Sequence, residues 1–154
     1  MFSFRSSLAF ALAGRINAKL DQSDWDGVVV TLGTDNMEES AYMADLLVRS
    51  DKPVVLTGAQ RPADPPDTDG PRNVADSVRL AASPAAHGLG VMICFEQKFH
   101  AACDVTKTHT SRVDTFMSGE HGKLGDVDAG KVFVHRKPTS RRTYGPSSIT
   151  QMSS

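Results

Sequence analysis

The sequence has little of what marks several large classes of protein. It contains only two cysteines, Cys94 and Cys103, which are too few for a disulfide framework and favour a reducing compartment. Seventeen basic and eighteen acidic residues nearly cancel, so there is no charge excess for binding nucleic acid or an anionic membrane. No apolar run approaches the roughly 18 residues that span a bilayer. The expectation is a small-molecule partner in the cytoplasm, with the periplasm as the alternative.

The N-terminal region has the outline of a secretion signal but fits a helix better. Its apolar run, residues 8–13, is shorter than the roughly 7–15 residues of a signal core. Large aliphatic residues recur at every fourth position through the candidate cleavage site, at Leu8, Leu12, Ile16 and Leu20. The sequence therefore predicts one amphipathic helix.

Strands and helices alternate through the middle of the chain. Apolar runs at 28–31, 54–57 and 91–95 predict buried strands. Helices are predicted over about 36–49 and from Pro71 onward. The faces expected to be buried are Met37, Ala41, Ala44 and Val48 on the first helix and Val74, Val78 and Ala81 on the second. This order favours an α/β fold with a doubly wound, mostly parallel sheet of the Rossmann or flavodoxin type and right-handed crossovers.

The last third of the chain has a different pattern. Residues 124–127 and 131–136 flank a turn at 128–130 and predict a C-terminal β-hairpin, with Val132 and Val134 on one face. Beyond Pro138 the sequence is rich in Ser, Thr and Arg without periodicity. We therefore expect a domain over residues 1–138 and a linker or tail over 139–154.

The first predicted strand ends in residues that can bind a ligand, since ligands of open α/β sheets lie beyond the carboxyl ends of the strands. Thr34 and Asp35 stand there, at the start of a helix whose free N–H groups favour an anionic group. A hydroxyl beside a carboxylate can contact a substrate's carboxylate and ammonium together. The alternative is structural: both residues cap the helix, with Asp35 and Glu38 forming a capping box.

Two further segments carry candidate site residues. Gly58, after the second strand, lets the backbone approach a ligand closely, while Arg61 is expected to anchor the loop. Lys107 stands among hydroxyl residues and an aspartate in the segment 104–110, where a lysine drawn into a cleft can transfer protons. The alternative for this segment is an ordinary strand edge.

Four segments, in order, resemble the motifs of the bacterial-type L-asparaginases and glutaminase-asparaginases. They are GVVVTLGTDNMEESAY at 27–42, SDKPVVLTGAQRP at 50–62, DGPRN at 69–73 and DVTKT at 104–108. The resemblance covers about residues 8–138.

This resemblance implies hydrolysis of the side-chain amide of L-asparagine, and in some members of L-glutamine, through a threonine nucleophile and an acyl-enzyme. It implies no metal or organic cofactor, and full-length members are homo-oligomers. The implied roles are binding or activating the attacking group for Thr34, holding the substrate's amino group for Asp35, and proton transfer for Lys107. The backbone of Ala59 would lie near the leaving amide.

The sequence also departs from the family pattern. Leu32 and Asn36 replace a histidine and a threonine beside the site, and the chain contains no Gly-Gly pair of the Thr-Gly-Gly-Thr loop that carries the primary nucleophile. The serine-glutamine segment that grips the substrate's carboxylate and the smaller C-terminal domain are also absent. The expectation is a truncated N-terminal domain, and the alternative function is that of a catalytically inactive remnant.

The sequence offers little for two other kinds of site. His100, Cys103 and His109 are suitable zinc ligands by residue type, but their spacing matches no compact zinc motif. A dinucleotide site is disfavoured because no Gly-x-Gly-x-x-Gly follows a strand.

Overall fold

A computed structural model describes residues 6–139 and 141–144, with helices and strands near their predicted positions. The helices are α1 (Ser6–Leu20), α2 (Met37–Leu47) and α3 (Gly70–Ala81). The strands are β1 (Val28–Thr31), β2 (Val54–Thr57), β3 (Val91–Phe95), β4 (Lys98–Ala101), β5 (Thr106–Lys107), β6 (Phe116–Met117), β7 (Gly125–Asp128) and β8 (Lys131–Val134).

The main sheet has six strands in the order β1-β2-β3-β4-β7-β8. β1, β2 and β3 are parallel, whereas β4, β7 and β8 join through antiparallel pairs. The predicted α/β fold is confirmed. The parallel part of the sheet is limited to β1, β2 and β3. β1 pairs only with β2 in the described residues, so its valines are half-buried where burial on both faces was expected.

Helices cover both faces of this sheet. Alternate residues of β2 point to opposite faces: Leu56 packs with α1 and α2, and Val55 packs with α3. The result is three layers with a hydrophobic cluster on each side of the sheet, as a doubly wound fold requires.

The two crossovers differ in hand. α2 joins β1 to β2 and α3 joins β2 to β3, and both steps run in the same direction across the sheet. Since the helices lie on opposite faces, the crossovers cannot both be right-handed, and that expectation is wrong. The long loop over residues 58–69 gives the chain enough length to reach the other face before α3 begins.

The buried stripe of α1 differs from the predicted one at its start. Ile16 and Leu20 are buried, but Leu8 is 70% exposed and Ala9 and Ala13 take the inner positions. A step of four residues overshoots one helical turn by about 40°, so three steps from Leu20 bring Leu8 well off the face. Residues 1–5 of the candidate signal lie outside the described residues.

α3 buries a polar face instead of its valines. Ala81 is buried as predicted, but Val74 and Val78 are exposed. The inner positions belong to Leu80 and to polar residues, namely Asn73, Asp76 and Ser77. The physical reason is that the Asn73 side chain bonds the backbone just beyond the carboxyl ends of β2 and β3, donating to the Gly58 carbonyl and accepting from the Glu96 N–H.

The C-terminal hairpin forms as predicted. β7 and β8 are joined by Ala129 and Gly130, both with positive φ, the conformation that suits the twist of a two-residue hairpin. Val132 and Val134 both pack against the cluster under α3.

Part of the segment predicted as a linker or tail makes defined contacts. Arg141 pairs with the Asp45 carboxylate at 3.0 Å, and the Tyr144 N–H donates to the Leu46 carbonyl. The predicted boundary after residue 138 stays a prediction, because residues 145–154 lie outside the described residues.

Candidate functional site

Lys107 lies beside Thr34 and Asp35, although more than seventy residues separate it from them in sequence. Thr34 and Asp35 form a 3-10 turn between β1 and α2, at the carboxyl end of β1. Lys107, in β5, donates from Nζ to Thr34 Oγ1 at 2.9 Å and to Asp35 Oδ1 at 3.0 Å. The structure thus brings the predicted triad together, and the catalytic roles of its members stay a prediction.

The three side chains differ sharply in exposure. Thr34 is 9% exposed and the Lys107 side chain 13%, whereas the Asp35 side chain is 75% exposed. One Asp35 oxygen is bonded to Lys107, and the carboxylate reaches solvent. A ligand can therefore approach from the Asp35 side, with the hydroxyl and the ammonium forming the inner wall.

The capping-box interpretation of Asp35 is wrong. Asn36 stands at the N-cap of α2 and makes no side-chain capping bond. Asp35 instead pairs with Lys107, and the Glu38 carboxylate accepts the backbone N–H of Lys107. Asp35 and Glu38 therefore both bind Lys107 rather than cap the N-terminus of α2.

Gln60 connects Thr34 to a neighbouring loop. Its Oε1 lies 2.8 Å from Thr34 Oγ1, which donates to it. Its Nε2 donates to the carbonyl of Arg112 at 2.9 Å and to that of His109 at 3.4 Å. The end of the second strand therefore meets the end of the first at the Thr34 hydroxyl.

The loop that carries Ala59 is held by a buried carboxylate. Asp69, 6% exposed, accepts hydrogen bonds from the backbone N–H groups of Gln60 and Arg61 and from the Asn73 side chain. Ala59 lies exposed between these anchors. Arg61 bonds Asp67 within the same loop, so it anchors the loop as predicted.

Sequence reasoning missed Gln60, Asp69 and Glu38 as site residues. All three stand in the matched segments, and Gln60 follows a strand, where ligand-contacting residues concentrate. The sequence could not predict the hydrogen-bond partner of each side chain, because these partners lie far away in sequence.

The zinc hypothesis finds no support in the geometry of the described residues. His100 bonds Ser118 and His109 accepts from its own loop, and residues 6–139 and 141–144 contain no group of three metal-binding side chains.

The two cysteines also differ from reactive thiols in their acidity. Burial raises the pKa of Cys94 to about 12 and that of Cys103 to about 11. Neither thiol therefore offers a thiolate nucleophile at neutral pH.

Comparison with known proteins identifies the family. The family model described as "Asparaginase, N-terminal" matches residues 3–140. The chain belongs to the asparaginase family. Among the helices of the described part, none is long and apolar enough to cross a membrane.

Several relatives resemble this asparaginase-family chain closely. It is 43% identical over 144 residues to a probable periplasmic L-asparaginase of Haemophilus influenzae, covering 93% of this chain and 41% of that protein. It is 43% identical over 132 residues to L-asparaginase 2 of Escherichia coli, covering 86% of this chain and 37% of that one. The chain therefore spans about two fifths of the length of these relatives.

A solved structure shares the fold. The crystal structure of a probable cytoplasmic L-asparaginase from Campylobacter jejuni superposes with a TM-score of 0.88 at 40% identity. The match covers 92% of this chain and 43% of that one.

Proposed function

We propose that the protein hydrolyses the side-chain amide of L-asparagine to L-aspartate and ammonia, with Thr34, Asp35 and Lys107 as its supporting triad. The observation that carries this proposal is the position of Lys107 Nζ, within hydrogen-bond distance of both Thr34 Oγ1 and Asp35 Oδ1. A lysine held between a hydroxyl and a carboxylate can exchange a proton with a reacting group beside them.

Each side chain then has a role that fits its exposure. The exposed carboxylate of Asp35 binds the substrate's ammonium group. The inner hydroxyl of Thr34 orients the attacking group, and Lys107 transfers the proton of that attacking group. The backbone at Ala59, held by the Asp69 and Asn73 bonds, lies near the leaving amide.

In the reaction that the resemblance implies, the covalent step belongs to a threonine of the Thr-Gly-Gly-Thr loop, which has no counterpart in this sequence. In the proposed reaction its hydroxyl oxygen attacks the amide carbon and its proton is passed on to the leaving nitrogen. The C–N bond then breaks, which releases ammonia and leaves an ester, the acyl-enzyme. Water then cleaves the ester and releases aspartate. Thr34 is a supporting residue in this scheme.

The alternative proposal is that the chain binds the substrate or its product without turnover. It rests on the sequence, in which the Thr-Gly-Gly-Thr loop implied by the resemblance has no counterpart, since no Gly-Gly pair occurs. The triad geometry would then serve binding alone.

Ammonia release from L-asparagine by the purified chain, measured in a coupled assay, tests both proposals. We expect Thr34→Val and Lys107→Met to reduce turnover by roughly 10²–10⁴-fold, the usual contribution of positioned proton transfer. Lys131→Met, at an exposed position of the hairpin, is the matched control and should keep full activity.

Titration calorimetry with L-aspartate separates the remaining outcomes. Binding without ammonia release supports the non-catalytic alternative. Neither binding nor release contradicts both proposals for this chain.

Substrate range, assembly and compartment are proposals of the same kind. We propose L-glutamine as a second substrate and a homo-oligomer for the whole protein, and parallel assays with L-glutamine and light scattering test these. The cytoplasm is the proposed compartment, since Cys94 and Cys103 are both free.

A further inference from the structure

The side chain of Gln60 can take only one orientation at the candidate site. Its Nε2 faces two backbone carbonyls, those of Arg112 and His109. Carbonyl oxygens only accept hydrogen bonds, so the amide nitrogen must point toward them and Oε1 must point toward Thr34. The 2.8 Å contact between Oε1 and Thr34 Oγ1 is then a bond in which the hydroxyl donates.

This orientation determines what the Thr34 hydroxyl can offer to its other neighbours. A hydroxyl has one proton and two lone pairs. The proton is used toward Gln60, and one lone pair accepts from Lys107 Nζ at 2.9 Å. The remaining lone pair can only accept, from an N–H or O–H group of a ligand or of an attacking water.

The backbone of Gln60 is fixed as firmly as its side chain. Its N–H donates to both oxygens of the buried Asp69 carboxylate, at 3.1 and 3.0 Å. Gln60 is therefore held at both ends, and its amide oxygen cannot follow the Thr34 hydroxyl if that hydroxyl turns.

We propose that Gln60 is a positioning residue that directs the Thr34 O–H bond away from Lys107 and keeps the Thr34 oxygen as a pure acceptor toward the substrate. This inference rests on the proposed function and deepens it. It assigns to Thr34 the recognition of a hydrogen-bond donor, such as a substrate ammonium group or the attacking water, and excludes it as a donor to a substrate carboxylate.

A double-mutant cycle on turnover tests the catalytic part. Gln60→Leu should lower kcat at least tenfold with KM changed less than threefold, because the misdirected hydroxyl affects the reacting group more than overall binding. Once Thr34→Val has removed the hydroxyl, Gln60→Leu should have little further effect on kcat. Gln22→Leu, at an exposed glutamine in the turn after α1, is the control and should leave kcat unchanged.

The conservative variant separates positioning from loop packing. Gln60→Glu keeps an oxygen acceptor for Thr34 but loses the donation to the Arg112 and His109 carbonyls. We expect it to retain several-fold more kcat than Gln60→Leu although both lower the melting temperature. Equal loss of kcat in the two variants, with additive effects in the cycle, would overturn the proposal and leave a structural role.

A second readout does not depend on turnover. The same cycle, measured as shifts in the urea midpoint of unfolding, should be non-additive if the Thr34–Gln60 hydrogen bond exists, because that shared bond can be lost only once, whichever residue is replaced first. A wild-type chain that releases no ammonia contradicts the proposed function, while the urea cycle still decides whether Gln60 holds the hydroxyl. Additive midpoint shifts contradict the inference whatever the activity.

Discussion

Asp69 organises the loop beside the candidate site through a single carboxylate. It accepts from two backbone N–H groups and from the Asn73 amide, and it is nearly fully buried. A group that accepts several hydrogen bonds in a buried position cannot be replaced by one that donates without leaving an N–H unpaired. The conformation of the backbone around Ala59 therefore depends on this side chain.

We predict that Asp69→Asn lowers the free energy of unfolding by roughly 1–3 kcal/mol, because its NH2 group must face a donor. Asp67→Asn, at an exposed residue that pairs with Arg61, should change it by less than about 0.5 kcal/mol. Urea unfolding followed by circular dichroism measures both. A value for Asp69→Asn equal to that of the control would show that the loop does not depend on the carboxylate.

Gly125 shows how a single missing side chain permits close packing of the hairpin. A Cβ there would lie 1.9 Å from the Phe133 carbonyl oxygen and 2.4 Å from the Phe99 ring. We predict that Gly125→Ala destabilises the fold by roughly 1–3 kcal/mol through overpacking. At Gly14, inside α1, a new Cβ would meet no atom within 4 Å apart from the backbone of its own helix, so Gly14→Ala should stabilise by about 0.5–1 kcal/mol. Thermal unfolding of the two variants is expected to show shifts of opposite sign.

At the level of the element, α3 shows that a helix can be oriented by hydrogen bonds rather than by its largest apolar residues. Its valines and its buried polar residues have the same helical spacing, so both faces are consistent with the periodicity. The polar face packs against the sheet because Asn73 satisfies two backbone groups that would otherwise be unpaired. The same face supports the loop that carries Gln60.

Substitutions on the two faces of α3 should have very different costs. Val78→Lys, at a position 53% exposed, should change the free energy of unfolding by less than about 0.5 kcal/mol. Asn73→Ala should lower it by roughly 2–4 kcal/mol, since it leaves the Gly58 carbonyl and the Glu96 N–H without partners. Chemical denaturation measures the free energy of unfolding of both variants. A larger loss of stability for Val78→Lys than for Asn73→Ala would contradict the orientation of the helix.

At the scale of the whole molecule, buried ionisable groups determine how stability responds to pH. Burial, assisted by the positive charges of Lys98, Lys123 and Arg136, lowers the pKa of His100 to about 4. The unfolded chain, with an ordinary histidine pKa of about 6.5, takes up the proton first as the solution is acidified. The contribution of neutral His100 is therefore complete above pH 6.5 and is lost as the pH falls toward 4.

We predict that protonation of His100 lowers the free energy of unfolding by roughly 3 kcal/mol between pH 6.5 and pH 4. This is the value expected from the difference between its pKa in the unfolded and the folded chain. His100→Gln should flatten the curve in that window, while His87→Gln, at an exposed site, should leave its shape unchanged. The measurement is urea unfolding at a series of pH values. An unchanged slope in His100→Gln would show that another group carries the dependence.

The contact between Arg141 and α2 joins the end of the described chain to its middle. The Asp45 carboxylate is 5% exposed, accepts the Val91 N–H, and pairs with Arg141, which also donates to the Val48 carbonyl. Burial raises the pKa of Asp45 even with the arginine present. Without the arginine the charged carboxylate would remain buried with only one donor.

Arg141→Ala should therefore destabilise the fold by about 3 kcal/mol at pH 7, the cost of breaking a buried ion pair. The loss should shrink toward pH 4, because protonation of Asp45 removes the unpaired charge. Arg142→Ala, at an exposed neighbour, is the control. Thermal unfolding at both pH values measures the effect, and equal losses for the two arginines would contradict a structural role for the 141–144 segment.

The sequence by itself determined the features that depend on neighbouring residues. The strands β1, β2 and β3 and the turn at Ala129 and Gly130 follow from local patterns, because strand formation and hairpin geometry depend on a few consecutive side chains. The half-burial of β1 does not, because it depends on which strands lie beside it. Thr34, Asp35 and Lys107 could be named in advance because each lies in a short contiguous motif.

Only the tertiary structure decided which of several equivalent local choices was taken. It put α2 and α3 on opposite faces of the sheet, turned the valines of α3 outward, and brought Gln60 to the Thr34 hydroxyl. The orientation of α3 and the position of Gln60 depend on hydrogen bonds between residues far apart in sequence, and periodicity carries no information about such partners. The chemistry of the candidate site is therefore visible in the motifs, whereas the direction of its key hydroxyl proton is a property of the folded chain.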